Sequence, residues 1–147
     1  MSSITKFKEK FFKNVELRYK GVYVYCGQGT DLKGKIKNLD FVLKNLNYGH
    51  GINNIEILYT SPMYMPINRC DKYCLEHDCY YHMSEKFSSG IRKKLEHEAD
   101  KLLVDRLTKL KVNMTPYCNE CIDCSIVIGI MKLKMKIDDE EVCCVLS

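Results

Sequence analysis

The spacing of apolar residues divides the chain into recognisable stretches. Ile4, Phe7, Phe11 and Val15 recur at helical spacing with lysines on the other face, which predicts an amphipathic helix over 3–16. Such a helix packs on a core or touches a membrane surface. Residues 21–26 read as extended and run into the turn Gly27-Gln28-Gly29-Thr30. Over 31–66 the pattern is mixed. Leu32, Ile36, Leu39, Val42, Leu43 and Leu46 fit one helix, Tyr48–Gly51 breaks it, and Ile55–Tyr59 suits a short strand before Pro62 and Pro66. A helix is predicted over 71–86, with Asn68 or Asp71 as its cap and Ser88-Ser89-Gly90 as its end. A second long helix follows over 91–111, with Ile91, Leu95, Ala99, Leu102, Leu103, Leu107 and Leu110 on one stripe. Pro116 sits in a cysteine-rich loop. Residues 125–136 form an apolar-then-basic helix, and Asp138–Glu141 open an exposed acidic tail. There is no internal repeat. The expected class is mainly α, with two antiparallel core helices in a single domain over 1–136, a 31–66 insertion and an exposed tail over 137–147.

Composition narrows the class. The 147 residues are 46% hydrophobic and 29% charged, an ordinary globular balance. The net charge of +4, from 23 basic and 19 acidic side chains, is too small to argue for nucleic acid. It suits contact with anionic lipid headgroups. The 9 cysteines are an odd number, so full internal pairing is impossible. Disulfides would imply an oxidising compartment; zinc or reactive thiols would imply a reducing one. Residues 1–20 lack the continuous apolar stretch of an ordinary signal peptide. No run is long and apolar enough for a spanning helix.

The candidate chemistry centres on His77 and Asp78. Cys74 lies one helical turn before them and Tyr81 one turn after, so all four can share a face. Two antiparallel helices joined at Ser88–Gly90 would bring Asp100 to His77. An aspartate bonded to one ring nitrogen fixes the tautomer and leaves the other nitrogen as a base. Asp78 is then available to a hard cation, to which the Gly27-Gln28-Gly29 turn can add backbone carbonyls. A backbone N–H of that turn can face a developing oxyanion. A His-Asp pair in a helix is ordinarily structural, and Gly-x-Gly is ordinarily a turn. Their combination with spaced cysteines is far more specific.

These residues carry a resemblance. Tyr25-Cys26-Gly27-Gln28-Gly29-Thr30 resembles the calcium loop of phospholipase A2, and Ile67 through Tyr81 resembles its catalytic helix. The pattern Asn68-x-x-Asp71-x-x-x-x-x-His77-Asp78-x-x-Tyr81 is similar to the phospholipase A2-like domain of viral proteins, the parvovirus capsid domain among them. Glu98 through Leu103 resembles the second helix of that group, and Met131 through Lys136 a basic helix that often closes such domains. The resemblance covers roughly 20–136, interrupted by the insertion. It implies a calcium-dependent hydrolase of the sn-2 ester of membrane phospholipids. In that mechanism His77 activates water, Asp100 orients His77, and Tyr81 braces Asp100. Asp78, with the carbonyls of Tyr25, Gly27 and Gly29, would hold calcium, and calcium with the Gly27 N–H would stabilise the oxyanion. Cys26 and Cys74 match family positions that form a disulfide. The implied partner is a phospholipid membrane surface. The implied setting is a virion, a secreted form or a host membrane, where the protein would act as a membrane-breaching factor. The alternatives are an inactive membrane- or protein-binding module of the same fold and a zinc-stapled interaction protein.

Several positions depart from the family. Tyr73 and Tyr80 stand where venom and pancreatic members carry cysteines, and Cys79 falls one place early. Residues 31–66 exceed the usual loop and are a lid, an interfacial patch around Met63, Tyr64 and Met65, or ballast. Gln28 replaces an apolar or proline residue, a change that backbone coordination tolerates. Cys118-x-x-Cys121-x-x-Cys124 has metal-ligand spacing, with Cys70, Cys79, His82 or Cys143 as candidate fourth zinc ligands. Cys144-Val145-Leu146-Ser147 fits a prenylation box, with Cys143 as a second lipid site and Lys132, Lys134 and Lys136 as nearby basic charge. Prenylation would place the protein on a cytosolic membrane face.

Overall fold

The computed structural model describes the backbone of residues 23–27 and 31–146, with side chains through residue 139. The expected helix over 3–16, and Gln28, Gly29 and Thr30, lie outside the described residues. Among the described residues there are five α-helices and no β-strand: α1 (Leu32–Lys35), α2 (Leu39–Asn45), α3 (Arg69–Ser84), α4 (Ser89–Val112) and α5 (Asn119–Leu146).

The start of α3 is written in its first residues. Asn68 is the N-cap, its side chain accepting from Asp71 N at 2.9 Å. Cys70, Asp71, Cys74, Leu75, Cys79, Tyr80 and Ser84 make its buried stripe. After a short turn, Ser88 stands at the N-cap of α4, whose Ala99, Asp100, Leu103 and Leu107 are buried. Contacts fix the directions. Glu76 pairs with Arg106 and Tyr81 with Asp100, so rising numbers on α3 meet falling numbers on α4 and the two run antiparallel. Arg69 meets Glu120 and Tyr81 meets Lys134, so α5 runs parallel to α3. α4 packs extensively along both neighbours. Leu75 and Leu107, with no exposed surface, lie in the core, and each contributes about 1.5–3 kcal/mol by burial.

Between α4 and α5 the chain turns at Tyr117, whose φ of 67° lies in the left-handed region. α5 begins at Asn119 rather than 125, so Cys121 and Cys124 are helical, not in a loop. It also continues past 136. The expected exposed tail is helical to Leu146, and Ile137 is buried. The acidic run that suggested a tail is compatible with helix, because Asp138 sits one turn beyond Lys134, 3.8 Å from its Nζ. Among the described residues no helix is long and apolar enough to cross a membrane.

The 31–66 segment is packed structure. Two short helices replace the single one expected, because Ile36 leaves helical geometry at the α1 C-cap. Ile55–Tyr59 forms no strand. Instead Ile36 and Tyr59 make an isolated bridge, with Lys37 N donating to Leu58 O at 2.7 Å and Thr60 N to Lys35 O at 2.9 Å. Asn38 clasps the same segment, donating to Glu56 O at 2.8 Å and accepting from Leu58 N at 2.9 Å. Val42 and Ile52 carry no exposed surface. Glu76, buried on α3, accepts from Ile52 N at 3.1 Å and from Arg106 Nε at 3.2 Å, while Arg106 donates to Tyr48 O at 2.8 Å. Gly51 lies against this pair with φ of 57°, and a Cβ there would meet Glu76 Oε2 at 2.0 Å. Only glycine fits that backbone and that approach.

Candidate active site

Asp100 is the hub of the site. It has no exposed surface, and three side chains from two other helices converge on it. His77 Nε2 lies 2.7 Å from Oδ1, and the Tyr81 hydroxyl donates to the same oxygen at 2.6 Å. Lys134 Nζ donates to Oδ2 at 2.5 Å and also bonds the Tyr81 hydroxyl. Burial alone would raise the Asp100 carboxyl. The hydrogen bond from His77 and the Lys134 charge outweigh it and hold the carboxyl below its usual range. An ionised carboxylate only accepts, so Nε2 carries the proton and Nδ1 is the free base of neutral His77.

Nδ1 faces Asp78, at 3.9 Å from Oδ1, beyond hydrogen-bond distance. Burial disfavours the imidazolium, but the bond to Asp100 and the charges of Asp100 and Asp78 outweigh it and raise the His77 pKa. The Tyr81 ring leans on the imidazole, centroids 4.4 Å apart, and burial followed by the Asp100 charge keeps its phenol protonated.

The loop over 23–27 is fastened beside this helix at two points. Cys26 and Cys74 form a disulfide with Cα atoms 5.1 Å apart. Asp71, with no exposed surface, accepts from Val24 N at 3.1 Å, Tyr25 N at 2.8 Å, Cys26 N at 3.2 Å and Ile67 N at 3.1 Å. One buried carboxylate thus absorbs the donors of three successive loop residues. Gly27 follows with φ of 148°, a conformation other residues rarely adopt. The Tyr25 hydroxyl donates to Tyr64 O at 2.6 Å and ties the loop to the 3₁₀ turn Pro62–Tyr64. The Asp78 carboxylate lies beside the imidazole, and a carboxylate oxygen is the ligand type a hard cation takes. Gly29 lies outside the described residues.

The structure therefore brings His77, Asp78, Asp100 and Tyr81 together, with Tyr25, Cys26 and Gly27 held close by through Cys74 and Asp71. Cys143 and Cys144 fall in the last turns of α5, with side chains outside the described range. Cys118, Cys121 and Cys124 do not gather around one point. Among the described residues the group of three potential ligand atoms within 4.8 Å is Cys26, Cys70 and Cys74, of which two are bonded to each other. An open cavity of about 450 Å³ lies in the insertion, lined by Phe41, Ile55, Leu58 and three asparagines among others, and does not include the His77 cluster.

Sequence reasoning missed two positioning residues. Lys134 was one basic residue among three. The signal was its register: Cys124, Val127, Ile130 and Ile137 are the buried positions of α5, and Lys134 falls on that same stripe. Of the two expected cap residues, Asn68 is the cap, and the Asp71 carboxylate serves the loop instead. Comparison with known proteins found no matching family model, no matching curated protein and no matching solved structure.

Proposed function

We propose that this chain is a calcium-dependent phospholipase A2, hydrolysing the sn-2 ester of phospholipids with a water activated by His77. The observation that carries the reading is the Asp100–His77 bond at 2.7 Å, which leaves Nδ1 free on the side of Asp78. In this mechanism Nδ1 takes a proton from water as its oxygen attacks the ester carbonyl. Asp100 stabilises the resulting imidazolium, and Tyr81 and Lys134 hold Asp100 in place. When the tetrahedral species collapses, His77 returns the proton to the departing alkoxide, giving free fatty acid and lysophospholipid. The Gly27 N–H faces the developing oxyanion. Calcium, held by Asp78 and the carbonyls of Tyr25, Gly27 and Gly29, would supply a Lewis acid to that oxygen.

A lipid surface as partner is supported by exposed apolar side chains beside the loop anchor. Met63, Met65 and Ile67 are 72%, 55% and 51% exposed, and Lys35 stands over the Tyr64 ring at 5.6 Å. Such a patch next to a cation suits an interface of acyl chains and anionic headgroups. The test is fatty-acid release from mixed phosphatidylcholine and phosphatidylglycerol vesicles at millimolar calcium. Release is expected, and a chelator, His77→Gln or Asp78→Asn should each abolish it. Folded protein that releases no fatty acid under these conditions would sink the reading.

A further inference from the structure

Two core thiols take no part in the site described above. Cys70, in the first turn of α3, and Cys124, on α5, have no exposed surface, and their side chains hydrogen-bond each other. Neighbouring ties hold the helices in register there. Arg69 Nε is 3.0 Å from Glu120 Oε1, and the Tyr23 hydroxyl donates to Asp123 while accepting from Asn68 Nδ2 at 3.4 Å. The two helices approach within 8 Å, Cα to Cα. Two buried free thiols that interact between helices clamped this closely are candidates for a disulfide, which needs Cα atoms within about 7 Å.

We propose that Cys70 and Cys124 form a second disulfide, fastening α5 to α3 as Cys26–Cys74 fastens the loop. The reaction is a two-step exchange with an external disulfide such as oxidised glutathione. The Cys124 thiolate attacks one sulfur of the oxidant and expels the other as thiolate, leaving a mixed disulfide. Cys70, giving up its proton, then attacks Cys124 Sγ and expels the second thiolate. Two cysteine thiols are oxidised and one external disulfide is reduced to two thiols. The order follows from the pair's polarity. The hydrogen bond from Cys70 lowers the Cys124 pKa against the opposing effect of burial, and the same bond with burial pushes Cys70 up. Cys70 also lies within 4.8 Å of Cys26 and Cys74, so exchange with that bridge is the competing chemistry. Pairing with Cys124 leaves the existing bridge intact.

The cross-link has a structural consequence on α5. Cys124 and Lys134 lie on the same inward stripe of that helix, so a bridge at one end sets the register that delivers Lys134 to Asp100. The proposal does not depend on the esterase reading, because its readout is a peptide mass.

The experiment is peptide mapping of the full chain refolded in a glutathione redox buffer, alkylated without reduction and digested with trypsin. Cleavage after Arg69 and Lys72 separates Cys70 from Cys74. The expected product joins residues 70–72 to residues 112–132. It should persist in Cys118→Ala and Cys121→Ala and vanish in Cys124→Ala, with melting about 10 °C lower in the last. Tandem fragmentation of the wild-type peptide pair assigns the bridge among Cys118, Cys121 and Cys124, so the matter is decided even where a variant fails to fold. Recovery of residues 70–72 in alkylated form, or bridged to Cys26, Cys74, Cys118 or Cys121, would overturn the proposal. So would a stoichiometric zinc ion protecting Cys70 from alkylation.

Discussion

Lys134 Nζ sits 2.5 Å from Asp100 Oδ2, so the carboxylate that orients His77 is itself held from a third helix. The pair is nearly dry, with the Lys134 side chain 14% exposed and Asp100 not exposed at all. Breaking such a pair leaves a buried charge without part of its compensation. Lys134→Met is therefore expected to cost about 3 kcal/mol, the low end for buried pairs because His77 and Tyr81 still bond Asp100. Urea unfolding measures the cost, and an unchanged midpoint would show that the ammonium is dispensable.

Asp71 gives a prediction about the loop. Asp71→Ala strands four backbone donors, three of them on consecutive loop residues. The expected loss is about 4 kcal/mol, taken as partial desolvation of several amides. On the proposed function, Asp71→Asn keeps an acceptor and should fold, but weaken calcium binding by loosening the carbonyls beside Asp78. Calorimetric titration with calcium checks this, and equal affinity in the two proteins would refute it.

The depressed Asp100 carboxyl implies acid sensitivity with a definite sign. Its folded pKa lies below the unfolded value of about 3.9. The stabilisation is thus fully present above that value and disappears as pH falls through the folded one. Urea midpoints should drop on the acid side in the wild type, and that slope should be shallower in Asp100→Asn.

Gly51 is the hinge of the clasp between the insertion and α3. Gly51→Ala forces a left-handed residue and drives Cβ into Glu76, whose carboxylate is engaged by Arg106 and Ile52 N. A loss of about 2–3 kcal/mol is expected, read as a lower thermal midpoint. Retention of wild-type stability would mean that Glu76 swings aside freely.

What the sequence made legible was local. The helices α3 and α4 announce themselves through long apolar stripes, the Asn68 cap and the Ser88–Gly90 break, and their ends fall within two residues of the expected ones. Adjacent antiparallel helices then put residue 100 opposite residue 77 with no further information. The insertion was not readable, because its order rests on short helices, one isolated bridge and the Asn38 clasp, none of which has a period. The length of α5 was hidden by its acidic residues, which look solvated until Lys134 is seen one turn away. Lys134 itself required knowing that α5 lies parallel to α3, a relation set by distant contacts such as Arg69–Glu120.

The arrangement of donors around Asp100 also sets an order in time. His77, Tyr81 and Asp100 all belong to the α3–α4 hairpin, which emerges from the ribosome before α5 does. A hairpin standing alone would present Oδ2 of Asp100 to water, with the charge only half compensated by protein. α5, which follows the hairpin along the chain, supplies the cation that seals it. The ordered His–Asp pair is thus expected as a late event of maturation, after α5 has emerged, and on the proposed function a nascent chain lacking that helix would hydrolyse phospholipid poorly.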